Sequence, residues 1–342
     1  MSVSYSEKLK TERLFERLRR NYAFTAMEAT YLERFPEIIT AELVEDITAG
    51  GAFDKEYAIA ALLSQVFGLD TDKSSEDRLI FRDYLLPSVK IMDAAKYENN
   101  PYYKNVKIPN VTRGSWELRR EAYTPYRAVI CDDMQVGDDL KEIAPLGFFT
   151  RRFEFPAVLE GGNEWMTLTP VDLDTCEDAI NSARGRVITF GLGLGYYAYM
   201  ASLKDNVESV TVVEKSEEVI KLFREFIFPS FPYPEKIRII NADAFEYAEK
   251  SMPNEKFDFA FVDTWRDASD GAPMYCRMKP LEKLSPETEF SYWIEGFILS
   301  RLRSLKYREL KERLERGELD MSYDEVIRLL TDVNELISAA NG

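Results

Sequence analysis

The chain of 342 residues contains no histidine. That absence removes Ser-His-Asp catalysis, histidine-ligated zinc and the two-histidine iron triad. A general base must then be Asp, Glu, Lys, Tyr or Cys. Cysteine is scarce: Cys131, Cys176 and Cys276 are scattered, with no C-x-x-C pair. This disfavours a disulfide framework and a zinc site, and it predicts three buried free thiols and no metal. Long apolar runs are missing too. The longest, near Ala58–Leu69, is broken by Ser64 and Gln65 and is too short to span a bilayer, so no membrane partner is expected. Met1-Ser2-Val3-Ser4 begins no charged-then-apolar signal, which makes the cytoplasm the expected location. There is no internal repeat and no low-complexity tract.

Positive charge is also short. Lys and Arg total 44 against 60 Asp and Glu, a net charge of −16. An acidic surface repels phosphate backbones, so nucleic acid is a disfavoured partner, while an acidic cleft for a polycation stays open. The pairs Arg19-Arg20, Arg119-Arg120 and Arg151-Arg152 extend into no basic run and read as solvated or capping charges. With 45% hydrophobic and 30% charged residues the composition is that of an ordinary globular chain, and its length admits two domains.

What the chain does have is the stretch from Arg186 to Glu214. Val187, Ile188, Thr189 and Phe190 suit a buried strand. Gly191, Gly193 and Gly195 alternate through a turn, and glycine there admits positive φ and the close approach of a ligand. Tyr196 to Leu203 continues as an apolar helix. Ser209–Val213 is a second strand, and it ends on Glu214, nineteen positions after Gly195. A strand-end carboxylate there can accept hydrogen bonds from two ribose hydroxyls. This is the pattern of a nucleoside-binding βαβ unit. A dinucleotide fingerprint is G-x-G-x-x-G. Here the third glycine comes one residue early and Tyr196 takes its place, which argues against NAD.

Downstream, Ile237–Ile240 reads as a third strand followed by Asn241-Ala242-Asp243-Ala244-Phe245. Phe257–Val262 is a fourth strand that runs into Asp263. The G-x-G-x-G turn, with the acids closing these strands in order, resembles the class I S-adenosylmethionine-dependent methyltransferases from about Asp172 to Ile294. The resemblance implies an α/β, Rossmann-like doubly wound sheet. It implies S-adenosylmethionine as cofactor, with the methionine end on Gly191, Gly193 and Gly195 beside Tyr196. It puts the ribose on Glu214 with Lys215 next to it, and the adenine by Asp243 and Ala244. Asp263 would border the transferred group as the catalytic residue, orienting the acceptor or holding the cofactor's amino group. Trp265 and Tyr275 are candidates for the substrate wall, since aromatic faces can hold a cation. Simpler roles stand beside these: Asp243 and Asp263 as helix caps, and the tyrosines and Trp265 as core.

Around that core, residues 1–110 read as a helical N-terminal domain and 111–170 as a connecting region. Residues 171–295 form the nucleotide-binding core and 296–342 C-terminal helices. In more detail, residues 4–98 are expected to be almost wholly helical, 99–114 a linker, Trp116–Tyr123 a short helix and Arg127–Cys131 a strand. Phe153–Leu159 and Glu164–Leu168 form a β-hairpin about Gly161-Gly162. Pro170–Ser182 is a helix, Glu289–Ile294 a fifth strand and Ser322–Ala339 an amphipathic helix. The sixth and seventh strands usual in the family have no counterpart.

Two transfer reactions follow from the resemblance. The first is methyl transfer to an O or N nucleophile of a small-molecule acceptor. Such a step leans on positioning more than on a strong base. The alternative, similar to the spermidine-synthase branch, is aminopropyl transfer from decarboxylated S-adenosylmethionine to a polyamine. That branch's D-S-x-D-P-x-G-P motif is echoed loosely by Asp263-Thr264-Trp265-Arg266-Asp267 and Gly271-Ala272-Pro273, and its G-G-G-D-G is absent, which favours methyl transfer. Cofactor binding without catalysis is a third reading. A homo-oligomer is left open.

Overall fold

In the computed structural model, which describes residues 5–340, two compact units emerge. Met1–Ser4, read above for a targeting signal, lie outside the described residues. One unit combines Asp93–Tyr123 with Phe153–Ile294. The other combines the chain up to Met92, Thr124–Arg152 and the chain from Glu295. The four consecutive segments read from the sequence divide the chain along its length. The compact units interleave.

The first unit is built on a five-stranded parallel sheet. Its strands are β1 (Gly185–Phe190), β2 (Val207–Glu214), β3 (Ile237–Asn241), β4 (Phe259–Val262) and β5 (Glu289–Tyr292), in the order β3-β2-β1-β4-β5. This is the order of the first five strands of a doubly wound sheet, with the switch point between β1 and β4. Every residue of β4 is buried, as are Val187, Ile188 and Phe190 of β1 and Val210, Val212 and Val213 of β2. Near-continuous apolar runs are what a parallel sheet covered on both faces requires. The helices α1 (Tyr196–Ser202), α2 (Glu217–Leu222), α3 (Ala244–Lys250) and α4 (Ala268–Met278) follow β1 to β4 in turn. Each of the last three starts at a side-chain cap: Ser216, Asp243 and Asp267. No sixth or seventh strand follows β5 among the described residues; the chain passes instead into the helix Glu295–Glu315.

A second sheet in this unit is antiparallel: Val111–Arg113, Trp116–Tyr123, Phe153–Glu160 and Asn163–Thr167 in that order. The expected hairpin is its last pair. Trp116–Tyr123, expected as a helix, is a strand paired along all eight residues with Phe153–Glu160. Its run of charged residues has good helix propensity, but the full ladder and the burial of Trp116 and Leu118 override it. The expected linker holds the helix Pro101–Asn105, capped by Asn100, as well as the first strand. The helix expected over Pro170–Ser182 breaks at Cys176 into Pro170–Thr175 and Glu177–Ser182.

The second unit is mostly helical: Tyr5–Arg34, Ala41–Thr48, Lys55–Val66 and Ser75–Ile80. The last continues through a π-turn, Phe81–Leu85, and stops at Ser88 just after Pro87. Val89–Met92, inside the stretch expected to be helical, is a strand that pairs in parallel with Leu146–Phe149. The C-terminal pattern splits at Asp332 into Tyr323–Thr331 and Val333–Ala340. Arg303 makes a buried ion pair with Glu142, whose other oxygen accepts from Ser300 Oγ at 2.8 Å. No helix among the described residues is long and apolar enough to cross a membrane.

Candidate functional site

A cavity of about 500 Å³ opens at the C-terminal ends of the parallel strands, within the range of small-molecule sites. The turn after β1 supplies Gly191 and Gly193 to its wall. Both take positive φ, 104° and 50°. Both are also required by the chain itself. A Cβ on Gly191 would lie 1.9 Å from the Asp263 carbonyl oxygen, and one on Gly193 would lie 2.1 Å from Met166 Sδ. The glycines therefore let β4 and the hairpin close on the turn, whether or not a ligand approaches it. Gly195 does not reach the cavity. It is the left-handed residue that starts α1.

Glu214 closes β2 and is buried, with 8% exposure. Its Oε2 accepts from Leu192 N at 3.1 Å and its Oε1 from Ser216 N at 2.7 Å. Backbone donors thus hold the carboxylate from the glycine turn on one side and from the start of α2 on the other. Asn241 Nδ2 ties β3 to the same strand end by donating to the carbonyls of Glu214 and Lys215 at 3.0 and 2.9 Å.

Asp243 caps α3 through Oδ1, which accepts from Phe245 N and Glu246 N at 3.0 and 3.1 Å. Its Oδ2 lies 3.3 Å from Lys215 Nζ. Partial burial pushes this carboxyl up. The Glu246 N–H, the Lys215 ammonium and the Phe245 N–H outweigh burial and hold it below its ordinary value. Capping and an outward-facing oxygen coexist here, and Ala244 adjoins them on the cavity wall.

Asp263, just beyond β4, faces the cavity and is half-buried. Protein surrounds it on its other sides. Burial, with Asp172 and Glu214 nearby, pushes its carboxyl up to about 8. It donates its backbone N–H to Phe190 O at 2.8 Å, which locks the strand end. Trp265 lines the same wall, 5% exposed, with Nε1 donating to Trp293 O at 3.2 Å. Tyr275 does not belong with it. Its side chain is fully buried against Tyr292, ring centroids 4.8 Å apart, and is away from the cavity wall. Tyr196 also stays off the main cavity. Its hydroxyl accepts from Asn100 Nδ2 at 3.1 Å, and it lines a small chamber behind the turn.

The sequence did not single out Asp172, the third residue of the helix Pro170–Thr175. Thr169 donates to Asp172 Oδ2 from both its backbone N and its Oγ1, at 2.6 and 2.8 Å. Those two bonds leave Oδ1 without a donor from Thr169. Burial pushes the carboxyl up to about 6 against the pull of the Thr169 donors. The T-x-x-D spacing of a capping box predicts the helix start. It does not show that the capping residue's carboxyl also borders a cavity. The hairpin's edge strand was expected, but none of its residues was named for the site, and Glu164 to Thr167 all line it.

The wall is acidic. Glu164, Asp172, Glu214, Asp243, Asp263 and Asp270 line it with only Lys215 and Arg266 for cations. Lys215 is paired with Asp243 and Arg266 with Asp270. Asp172, Glu214 and Asp263 therefore face the cavity with both lining cations paired to other acids. Among the described residues no three carboxyl or thiol side chains could close on a metal ion.

No protein-family model and no curated protein matches the chain. Among solved structures, it is similar to the spermidine synthase of Thermotoga maritima at 17% identity and a TM-score of 0.31, over 44% of this chain and 58% of that one. A spermidine synthase in complex with the transition-state analogue AdoDATO aligns at 17% identity and a TM-score of 0.33, over 44% and 59%. A human methyltransferase 10 domain containing protein aligns at 12% identity and a TM-score of 0.26, over 34% and 58%. The chain thus matches less than two thirds of the length of each. Likenesses this distant leave the chemistry to be argued from the cavity itself.

Proposed function

We propose that the chain is a transferase that takes an S-adenosylmethionine-type donor and passes its alkyl group to an amine. One observation carries this reading: the Glu214 carboxylate is held by backbone donors from two sides at the C-terminal end of β2, one strand from the sheet's switch point, and borders the cavity. A ribose diol suits it, because each carboxylate oxygen has a further lone pair for a hydroxyl. Gly191 and Gly193 would border the methionine portion, and Asp243, Ala244 and Phe245 the adenine, with Lys215 beside the ribose.

When bound, the sulfonium supplies an alkyl carbon activated for displacement. The chain's own groups do the rest. Once ionised, Asp172 and Asp263 attract an ammonium, and one of them takes its proton, so that the nitrogen lone pair would form the new C–N bond as the C–S bond breaks and the thioether leaves. Carboxyls raised toward neutrality suit that task in a chain without histidine. The ring faces of Trp265 and Trp293 add attraction for a cation. The acceptor is then a small cationic molecule, and an acidic cavity disfavours nucleic acid.

The first reading of the transferred group is methyl. Aminopropyl transfer from a decarboxylated donor is the second, and the uncompensated acids favour it. The α-carboxylate of S-adenosylmethionine would meet Asp172 and Asp263 while the lining cations Lys215 and Arg266 are paired with Asp243 and Asp270, whereas a decarboxylated donor brings only its ammonium. Calorimetry separates the two through their products. Tighter binding of S-adenosylhomocysteine supports methyl transfer, and tighter binding of 5′-methylthioadenosine supports aminopropyl transfer. Binding of neither removes both. Glu214→Ala should weaken whichever binds by about 1.5–3 kcal/mol, the worth of a charge-assisted hydrogen-bonded pair. Unchanged affinity would remove the ribose assignment.

A further inference from the structure

Residues 93–105 place no side chain on the cavity wall among the described residues, yet they tie together three elements that form it. The first is the helix Pro170–Thr175, which carries Asp172. From the helix Ala94–Glu98, Lys96 Nζ and Tyr97 Oη each donate to Asp174 at 2.7 Å, one to each carboxylate oxygen. The second is the hairpin. Tyr103 Oη donates to the carbonyl of Leu168, the residue after its edge strand, and the Tyr103 ring stacks on Phe153 with centroids 6.0 Å apart. The third is the glycine turn. Tyr102 Oη donates to Leu194 O, and its ring meets those of Tyr196 and Tyr199 edge-on, centroids 5.7 and 5.3 Å away. Asn100 Nδ2 and Asn105 Nδ2 reach the hydroxyls of the same two tyrosines at 3.1 and 3.0 Å. Tyr102 is 1% exposed and Leu194 is fully buried.

These contacts complete what the parallel sheet begins. The near end of the turn is tied to β2, where Gly191 N donates to Val213 O at 2.9 Å and Leu192 N to the Glu214 carboxylate. Its far end, at Leu194, is tied by Tyr102. We propose that residues 93–105 form a brace that sets the spacing between the two sides of the cavity: the glycine turn, which takes the donor, and the wall of Asp172 and the hairpin, which takes the acceptor amine. Tyr102 is then a positioning residue for the donor, and Lys96 and Tyr97 are positioning residues for the acceptor. Each acts through the element it holds. A buried carbonyl that loses its donor is costly, so the turn shifts to find another when the Tyr102 hydroxyl is removed. The brace rests on the contacts alone. The allotment of donor and acceptor to its two sides rests on the amine-transferase reading.

Calorimetry on the full chain reads the two sides separately. Tyr102→Phe should weaken 5′-methylthioadenosine about fivefold and leave 1,4-diaminobutane unchanged, and Lys96→Met combined with Tyr97→Phe should do the reverse. A loss of stability alone would weaken both ligands together or neither, so either of those patterns overturns the positioning roles. Amide hydrogen exchange, followed by NMR without ligand, tests the brace itself. Gly195 N donates to Leu192 O at 2.7 Å on one side, and Leu173 N to Thr169 O at 3.2 Å on the other. In Tyr102→Phe the Gly195 amide should exchange about tenfold faster while that of Leu173 keeps its rate, and in the double variant Leu173 alone should quicken. Equal changes at both amides, or none, would overturn the brace. Should Tyr102→Phe fail to fold, Lys96→Met alone decides through Leu173, its side chain being 57% exposed. A wild-type chain that binds neither 5′-methylthioadenosine nor 1,4-diaminobutane would remove the transferase reading and leave the exchange rates to decide the brace.

Discussion

Glu142 in the helical unit and the Asp172–Asp263 pair in the sheet unit are buried carboxyls handled in opposite ways. In the helical unit, Glu142 is 2% exposed and Arg303 5%, and the two are paired. Ser300 completes the acid, and Arg303 Nε donates to Leu330 O at 2.9 Å. Glu142 and Arg303 thus both have partners inside the protein. In the sheet unit, Asp172 and Asp263 face a cavity whose two lining cations are paired with other acids, and each is pushed up instead. The physical difference is what completes the charge. Glu142 is completed by the fold, so it serves the fold. The pair at the cavity is completed only by something that enters, so the fold bears a cost that a bound cation would remove.

The sharpest way to break this comparison is at Arg303. Removing one partner of a buried ion pair leaves the other charge uncompensated, at a cost of about 3–5 kcal/mol. Arg303→Met should lower the free energy of denaturant unfolding by that amount, and Glu142→Gln combined with it should recover most of the loss. If Arg303→Met costs less than about 1 kcal/mol, the pair is not what completes Glu142 and the contrast collapses.

Glu28 tests the contrast from another side. It lies in the helical unit, 2% exposed, and neither oxygen has a partner. Burial pushes its carboxyl well above the usual range. Ser88 beside it offsets this little, since its hydroxyl is donated to Leu85 O at 2.8 Å. Its folded value lies above its unfolded one, so the folded state holds the proton more tightly. The corresponding stability is fully present below about pH 4, the ordinary carboxyl range, and is lost as pH rises from there toward the raised value. Glu28→Gln keeps the shape and removes the titration. The two proteins should unfold alike at about pH 4, and by pH 8 the variant should be more stable by about 1–3 kcal/mol. Parallel pH profiles would mean that Glu28 finds a partner in solution.

Much of the sheet unit was legible because its physics is local. β-branched and aromatic runs bounded by glycine or an acid mark β1, β2 and β4. Acids that follow the strands of a parallel sheet emerge at one edge, so the sequence places Glu214, Asp243 and Asp263 together, and all three line the cavity. What failed was set by distant partners. Trp116–Tyr123 is a strand only because Phe153–Glu160 lies beside it, and Val89–Met92 only because Leu146–Phe149 does. The interleaved units could not be read from segments taken in series. Asp172 has an unremarkable local signature, a cap before a short helix. Its role depends on a cavity whose other walls lie up to 121 residues further along the chain, at Trp293. Tyr275 failed in the converse way. Its aromatic face suggested a pocket wall, but the core around Tyr292 claimed it.

The smallest expected effect is at Asp263, and it ties the comparison to binding. Its folded value near 8 lies above that of an unfolded Asp, so stability present below about pH 4 is lost as pH rises toward 8. The cavity face is wet, which reduces the loss to about 1 kcal/mol. Asp263→Asn should therefore match the wild type in acid and exceed it by that amount above pH 8. Cation binding should run the other way. As pH rises through about 6 and then about 8, Asp172 and Asp263 ionise in turn, and affinity for a small diamine should rise over the same window until the diamine itself loses charge. Asp263→Asn should keep the lower step and lose the upper one. Titration calorimetry across that range reads both steps. A diamine affinity that is flat from pH 6 to 8 would mean that the pair does not face the ligand, and that its charge, like that of Glu142, is completed within the fold.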